Sequence, residues 1–294
     1  ELAETMGLRV EMLPADWRKG LVIDKLTERL TADKSHEIKA VLAVHNETAT
    51  GLFLPMADVR RALDQAKHPA LLLADTISSL GSMEYKMDAW GIDVTIAGSQ
   101  KGLMLPTGLA MTGVSAKAME VARKAKLPKY YFNWELMASR KPQRFNGTVP
   151  VHFFFGLQES IKLIEEETLE GVFARHARLA EATRACVRAW SADGKGPSLF
   201  GQTEERLSNS VTTIMMPEGH TSDAMRKTAL ERFNLSLGGG LGPLMGKVFR
   251  IGHLGDLNEP MLLGCLATTE LAMKTVGIPF APGGVDAAIK SLAN

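Results

Sequence analysis

Two residues that could form a catalytic pair each follow a short apolar run. Asp75 comes directly after the run at residues 69–74, and Lys101 lies in the turn after the β-branched run at residues 92–97. Both runs have the length and composition of buried strands. Ligands of open α/β sheets bind at the carboxyl ends of the strands, so we expect both side chains at one sheet edge. A Schiff-base lysine and a carboxylate that pairs with a pyridinium nitrogen are the groups that pyridoxal phosphate chemistry needs.

Three further side chains could serve the same chemistry. Thr48 follows a neighbouring strand candidate and could hydrogen-bond the ring oxygen of the cofactor. Gln100 shares the turn of the lysine and could donate to a phosphate. Arg250 lies on the predicted strand 247–251, where its planar fork suits a substrate carboxylate. Two of these residues also have a plainer interpretation alone, since Thr48 could satisfy its own loop and Arg250 could form a surface ion pair.

Strands and helices alternate along the first half of the chain, which predicts an α/β fold with a large, mostly parallel sheet. The second half changes to a smaller α+β pattern. We therefore predict a large cofactor-binding domain at residues 1–167 and a small C-terminal domain at 168–294. The predicted strands are 8–13, 38–45, 69–74, 92–97, 109–114, 210–215 and 247–251. The predicted helices are 23–32, 56–68, 82–90, 116–125, 155–190 with a break near Gly171, 222–233 and 259–276.

Composition excludes several classes of function. The 294 residues carry a net charge of +1, so no broad basic field is available for nucleic acid or anionic membranes. No apolar run is long enough to span a membrane. Cys186 and Cys265 lack a metal-type spacing, and the seven histidines form no helical metal pair, so we expect no metal and a reducing cytoplasm. The opening without Met suggests the later part of a longer polypeptide, with the large domain incomplete at its N-terminus.

Five segments, in this order, resemble the class V pyridoxal-phosphate-dependent aminotransferases. Within that family the chain most resembles the serine–glyoxylate and alanine–glyoxylate branch, and the resemblance covers nearly all of it. The segments are HNETATG (45–51), LADTISSLG (73–81), GSQK (98–101), TVP (148–150) and GKVFRIGH (246–253).

The resemblance implies the fold-type-I architecture and a role for each matched residue. Lys101 would carry the Schiff base, and Asp75 would pair with the ring nitrogen. Ile77 would lie against one ring face, while Thr48 and Gln100 would match polar contacts to the cofactor. In the same way, the arginine at position 250 would match the residue that binds the substrate carboxylate.

Thr148 would match a residue that reaches the phosphate of the neighbouring subunit, which implies a homodimer with shared active sites. Two features depart from the family pattern. Phe145 stands where some relatives carry a tyrosine that contacts this phosphate. The glycine-rich phosphate loop and the residue stacked on the other ring face precede the matched region, so no residue of this sequence is assigned to them.

These observations predict a transaminase that moves an amino group from a small L-amino acid to glyoxylate. Serine is the favoured donor, with alanine and aspartate as alternatives. A cysteine desulfurase-type lyase would need an exposed thiolate near the cofactor, and neither Cys186 nor Cys265 has a sequence context that favours one. An inactive fragment is a further alternative. A Rossmann dehydrogenase is disfavoured, because no dinucleotide fingerprint follows any predicted strand.

Overall fold

The computed structural model describes residues 1–140 and 145–294. These residues form ten strands and ten α-helices. The strands are β1 (Ala40–Val44), β2 (Asn46–Glu47), β3 (Leu52–Phe53), β4 (Leu71–Asp75), β5 (Val94–Gly98), β6 (Ala110–Val114), β7 (Ser198–Leu199), β8 (Val211–Met215), β9 (Gly238–Gly239) and β10 (Val248–Gly252). The helices are α1 (Leu2–Thr5), α2 (Ile23–Ala32), α3 (Met56–Gln65), α4 (Ala116–Lys124), α5 (Trp134–Ser139), α6 (Val151–Glu167), α7 (Leu169–Trp190), α8 (Ser222–Phe233), α9 (Glu259–Val276) and α10 (Gly284–Leu292).

The first sheet has the strand order β1-β4-β5-β6. Its first three strands run parallel, and β6 pairs antiparallel with β5 at the edge. Asp75 is opposite both Val44 and Ile96 in this register. The prediction of a mostly parallel α/β sheet is therefore confirmed, with one antiparallel edge strand that the sequence pattern did not distinguish.

A compact apolar core holds this sheet against α2 and α3. Leu26 and Leu30 of α2 meet Met56 and Leu63 of α3, and Leu72 of β4 is fully buried in the same cluster. These side chains are spaced four and seven residues apart on their helices, which places each set on one helix face. Packing against α2 and α3 therefore fixes the strand that ends in Asp75.

A second sheet and a second core lie in the C-terminal half. The sheet has the order β7-β8-β10-β9 and is antiparallel throughout. Trp190, Phe249 and Leu266 are fully buried between this sheet and the helices α7 to α10. The strand that carries Arg250 is therefore central and rigid, while the division into domains at residue 167 stays a prediction.

Several predicted elements differ from the structure. Residues 8–13 are not a strand, because no described strand pairs with them and nearly all their side chains are exposed. Residues 82–90 form turns and not a helix. The long helix breaks at Thr168, three residues before Gly171, and α10 follows the helix that was predicted to be the last. The bounds of α2, α8 and α9 agree with the predictions, and the Ser115 side chain caps the N-terminus of α4.

Candidate active site

Asp75 and Lys101 emerge at the same edge of the sheet. Asp75 is the last residue of β4, and Lys101 comes three residues after the end of β5, which runs parallel to β4. Asp75 Oδ1 accepts a hydrogen bond from the Ile77 backbone N–H at 2.9 Å. Its Oδ2 has no hydrogen-bond partner among the described residues. The half-buried carboxylate therefore keeps one oxygen available for a ligand.

Two glycines allow the two loops that follow these strands to lie in close contact. A Cβ on Gly102 would lie 2.2 Å from the Leu80 carbonyl oxygen and 2.8 Å from the Gly81 carbonyl carbon. Gly81 also has a φ of +76°, which favours glycine. The two backbones thus approach each other more closely than any side chain would allow, which fixes the Lys101 turn against the Asp75 loop. Neither an ion pair nor a side-chain hydrogen bond joins Lys101 Nζ to another described residue.

Ile77 and Gln100 both lie close to Gly98, the last residue of β5. A Cβ built on Gly98 would lie 2.9 Å from Gln100 Oε1 and 3.5 Å from Ile77 Cγ2. The half-buried isoleucine and the exposed amide therefore flank a stretch of bare backbone. An apolar surface beside a hydrogen-bonding group at this edge suits a flat, polar-edged ligand.

Thr48 belongs to a buried hydroxyl and amide network that was not predicted. Its Oγ1 donates to Ser78 Oγ at 2.9 Å, and Ser78 Oγ donates to the Asn46 carbonyl at 2.9 Å. Asn46 Nδ2 donates to Ser210 Oγ at 2.9 Å, so the network reaches the second sheet. Asn46 Oδ1 is buried with no partner among the described atoms. Asn46 and Ser78 both lie in the quoted motifs, which was the available signal.

Arg250 extends from β10 to the Thr48 loop. Its Nε donates to the Gly239 carbonyl at 2.7 Å, and its Nη1 donates to the Thr48 carbonyl at 3.1 Å. These two contacts leave Nη2 for another acceptor. Burial and the nearby Arg226 lower the pKa of the Arg250 guanidinium, and Glu47 opposes that shift. An anionic ligand would offset the same desolvation.

Thr148 stands apart from the other predicted site residues. It is exposed in the segment before α6, and no described hydrogen bond joins it to the others. Phe145, three residues earlier, packs against Phe154 with ring centroids 6.5 Å apart. The described contacts therefore link the loops of six of the seven predicted residues, and none of these contacts includes Thr148.

The two thiols lie away from this edge, in the C-terminal half. Cys186 is fully buried in the second core, and burial raises its pKa. Burial also raises the pKa of Cys265 to about 11. Both are therefore thiols and not thiolates at neutral pH, which argues against the desulfurase alternative.

Residues 1–140 and 145–294 include no cluster of three or more His, Cys, Asp or Glu side chains that could hold a metal ion. None of the described helices combines the length and the apolar character that a membrane crossing requires.

Comparison with known proteins places this site in a family. The Aminotransferase class-V family model matches residues 1–241. An L-aspartate–glyoxylate aminotransferase of Paracoccus denitrificans is 47% identical over 98% of this chain and 72% of its own length. A serine–glyoxylate aminotransferase of Methylorubrum extorquens is 45% identical over 99% of this chain and 73% of its own length.

The fold agrees with these sequence relatives. The structure of ureidoglycine–glyoxylate aminotransferase from Bacillus subtilis superimposes with a TM-score of 0.88 at 27% identity, over 100% of this chain and 74% of that one. The two sheets and their helices have the α/β architecture of this aminotransferase. The chain belongs to the class-V aminotransferase family. The family resemblance predicted from the five motifs is thus confirmed.

Proposed function

We propose that this chain is a pyridoxal phosphate-dependent transaminase that moves an amino group from a small L-amino acid to glyoxylate. The observation that carries the proposal is the placement of Asp75 and Lys101 at neighbouring strand ends, with their loops held in contact by Gly81 and Gly102. The similarity to two glyoxylate aminotransferases at 45% and 47% identity supports the same reaction.

The described residues fit pyridoxal phosphate. When bound, this cofactor supplies an electron sink for negative charge at the α-carbon of the substrate. Asp75 Oδ2 is uncommitted and would accept the hydrogen of the ring nitrogen, which keeps that nitrogen protonated. Lys101 Nζ is without a partner among the described side chains and would hold the aldehyde carbon and later move a proton. Ile77 would cover one face of the ring beside the bare backbone of Gly98.

Two polar side chains at the same edge complete the proposed cofactor contacts. Thr48 Oγ1 lies next to the Ser78 hydroxyl and would bind the ring oxygen. The Gln100 amide is exposed beside Lys101 and would donate to the phosphate. Thr148 is proposed to contact the phosphate held by a second subunit, because it is exposed and makes no described hydrogen bond to the other six residues.

Arg250 is proposed to bind the carboxylate of the amino donor. Its Nη2 makes no hydrogen bond to the described residues, while Nε and Nη1 donate to the carbonyls of Gly239 and Thr48. The guanidinium is therefore oriented before a substrate arrives, which lowers the entropic cost of binding. Serine is the favoured donor. Aspartate and alanine remain alternatives, and aspartate is named as the donor of the Paracoccus denitrificans relative.

We also propose a homodimer and a cytoplasmic location. Tyr130, Phe132 and Phe155 are 80%, 76% and 72% exposed, and they flank the segment that contains Thr148. Exposed aromatic side chains of this kind are typical of protein interfaces. Cys186 and Cys265 are both free, which suits a reducing compartment.

Reductive labelling tests the attachment point. The purified chain is incubated with pyridoxal phosphate, reduced with borohydride, digested and mapped by mass spectrometry. We expect a phosphopyridoxyl mass on Lys101 and on no other lysine. Lys117 is a suitable reference within the same protein, because its Nζ is engaged by Asp93 at 3.3 Å. Equal labelling of Lys101 and Lys117 would contradict the proposed site.

A glycine-formation assay tests the reaction. L-Serine, L-alanine and L-aspartate are each supplied with glyoxylate, and the glycine produced is measured. We expect the highest kcat/KM with serine and no turnover after Lys101→Ala. Turnover by Lys101→Ala would overturn the assignment of the lysine, whereas a preference for aspartate would change only the donor.

A further inference from the structure

The corner between α6 and α7 shares a cleft with the turn at residues 101–105, here called the Lys101 turn. We propose that Glu167, Arg175 and His176, here called the corner brace, position this turn for amino transfer. The proposal deepens the proposed function and rests on it. None of the three residues is placed against a substrate, so each would act through the backbone that it holds.

Arg175 links the end of α6 to the loop that follows β10. Its Nε and Nη2 donate to the two carboxylate oxygens of Glu167 at 2.7 and 2.8 Å. Its Nη1 donates to the carbonyls of Gly255 at 2.8 Å and Leu257 at 3.1 Å. A planar guanidinium can satisfy these three partners together, and a lysine cannot.

His176 holds the other polar group of Gly255. The Gly255 N–H donates to His176 Nε2 at 3.1 Å, and His176 Nδ1 contacts the Val172 carbonyl at 2.7 Å. This pattern requires a neutral imidazole with its proton on Nδ1. Burial lowers the pKa of His176, which agrees with the neutral form. Two consecutive residues of α7 thus fix both the N–H and the carbonyl of one glycine.

Gly255 in turn lies against the Lys101 turn. Its φ is +86°, and a Cβ there would lie 3.5 Å from Met104 Cγ and 4.0 Å from the Lys101 carbonyl oxygen. From the other side, α6 holds the same turn, since Ser160 Oγ donates to the Leu103 carbonyl at 2.6 Å. The turn is therefore held between α6 and the Gly255 loop, and Glu167 and Arg175 join those two supports.

Packing alone does not hold the Lys101 turn on this side. A cleft of about 310 Å³ lies behind it, between α6, α7 and the Gly255 loop. Side chains around a cleft lack neighbours on one side and lose the corresponding dispersion energy. The polar contacts of the corner brace therefore carry more of the positioning than they would in a filled core. The lining includes Gly81, Gly102, Met104, Arg175, His176 and Gly255.

The corner itself has an unusual backbone. Thr168 separates the two helices with a φ of +68°, a value that disfavours a β-branched residue. Its side chain accepts the Gly171 N–H at 3.2 Å and so caps α7. This sharp corner brings Glu167, the last residue of α6, back to Arg175 in the second turn of α7. The local backbone cost is offset by the cap and by the ion pair.

The test compares Arg175→Gln with a matched control, Arg178→Gln. Arg178 lies one turn further along α7 and also pairs with a glutamate, Glu259, but it contacts neither Gly255 nor the Lys101 turn. Hydrogen exchange of the cofactor-free protein is followed at the amides of Met104 and Leu105, which donate within the turn. We expect exchange about tenfold faster in Arg175→Gln and unchanged in Arg178→Gln.

Kinetics supply the second measurement. Misplacement of Lys101 Nζ by a fraction of an ångström is expected to lower kcat about tenfold or more. KM for the amino donor should change by less than about twofold, because Arg250 remains on β10 between its neighbouring strands. Arg175→Lys should not restore kcat, since the fork is lost. Glu167→Gln should give an intermediate value, and it carries the same test if Arg175→Gln does not fold.

The outcomes separate the brace from the proposed function. Unchanged exchange at residues 101–105 in both Arg175→Gln and Glu167→Gln would overturn the brace, whatever the reaction. An equal loss of kcat in Arg178→Gln would do the same, because it would indicate a general effect on α7. Faster exchange with no borohydride labelling of Lys101 in the unaltered protein would support the structural link and overturn the transaminase proposal.

Discussion

At the scale of single residues, Gly102 shows how a missing side chain can set the geometry of a site. The Leu80 carbonyl oxygen would be 2.2 Å from a Cβ on this glycine, so the two site loops must separate in Gly102→Ala. We expect a loss of about 1–3 kcal/mol in the free energy of unfolding, measured by urea denaturation, and weaker labelling of Lys101. Gly264→Ala is the matched control, because its Cβ meets nothing within 4 Å on α9. It should gain about 0.5–1 kcal/mol.

Arg250→Lys tests whether the fork or only the charge binds the donor. A lysine cannot hold the carbonyls of Gly239 and Thr48 and also bind a carboxylate in two places. We expect KM for L-serine to rise about tenfold or more, with a smaller change in kcat. The opposite split, a lower kcat at constant KM, would show that Arg250 acts on the chemical step.

The lowered pKa of Asp33 predicts how the free energy of unfolding changes with pH in the acid range. Hydrogen bonds from the Ile38 and Glu37 backbone N–H groups, then contact with His68, lower its pKa from 3.8 to about 2. Because the folded pKa is below the unfolded value, its stabilisation is complete above about pH 4 and disappears as the pH falls toward 2.

This dependence is measured as the difference in unfolding free energy between the unaltered protein and Asp33→Asn. The difference should shrink between about pH 4 and pH 2. Glu28→Gln is the control on α2, since Glu28 makes no hydrogen bond to the described residues and is exposed. A difference for Asp33→Asn that stays constant with pH would contradict the assignment of the shift to Asp33.

At the scale of elements, periodicity located the helices and strands that pack on a core. Leu26 and Leu30 recur at helical spacing in α2, and both are buried. The strands that end at Asp75 and Gly98 are short apolar runs closed by turns, and each lies at the predicted place. Such segments are predictable because their burial requires the pattern.

Other elements depend on partners that a local pattern does not contain. Residues 8–13 alternate like a strand, but a strand also needs a neighbour for its backbone groups. The break of the long helix was predicted near Gly171. Thr168 is the residue that ends α6 and caps α7, and Gly171 supplies the N–H that the cap accepts. Likewise, α10 packs against α7, a helix almost a hundred residues earlier in the sequence, and no local pattern shows that contact.

The contact between α7 and α10 can be tested at Trp190. This side chain is fully buried, and its Nε1 donates to Glu270 Oε1 at 2.8 Å, an oxygen that also accepts the Val285 N–H of α10 at 3.2 Å. Trp190→Phe removes the donor and leaves unfilled volume, so the free energy of unfolding should fall by about 1–3 kcal/mol. Trp17→Phe, at a tryptophan that is 49% exposed, should change it by less than about 0.5 kcal/mol.

At the scale of the whole molecule, the candidate site could be predicted where it lies in motifs. Thr48, Asp75, Lys101 and Arg250 are widely separated in sequence, yet contacts join their loops. The corner brace was not predicted, because a side chain that holds a distant backbone carbonyl leaves no periodic signal. The close contact between Gly81 and Gly102 also leaves no periodic signal, and it is seen only in the structure.

The exposed aromatic side chains before and within α6 predict a dimer interface there. Phe155 is 72% exposed on α6, so burial in a dimer would stabilise association without any role in the folded subunit. Light scattering should give a mass near twice 31.9 kDa for the unaltered chain and near 31.9 kDa for Phe155→Glu. The control Leu230→Glu changes an apolar residue of α8 that is 53% exposed, and it should remain dimeric. Dissociation by both variants would indicate a nonspecific effect of the added charge, and dissociation by neither would place the interface elsewhere. If Phe155→Glu alone dissociates the dimer and also weakens pyridoxal phosphate binding, the shared site that Thr148 implies is supported, since a lone subunit would lack the partner's contact to the phosphate.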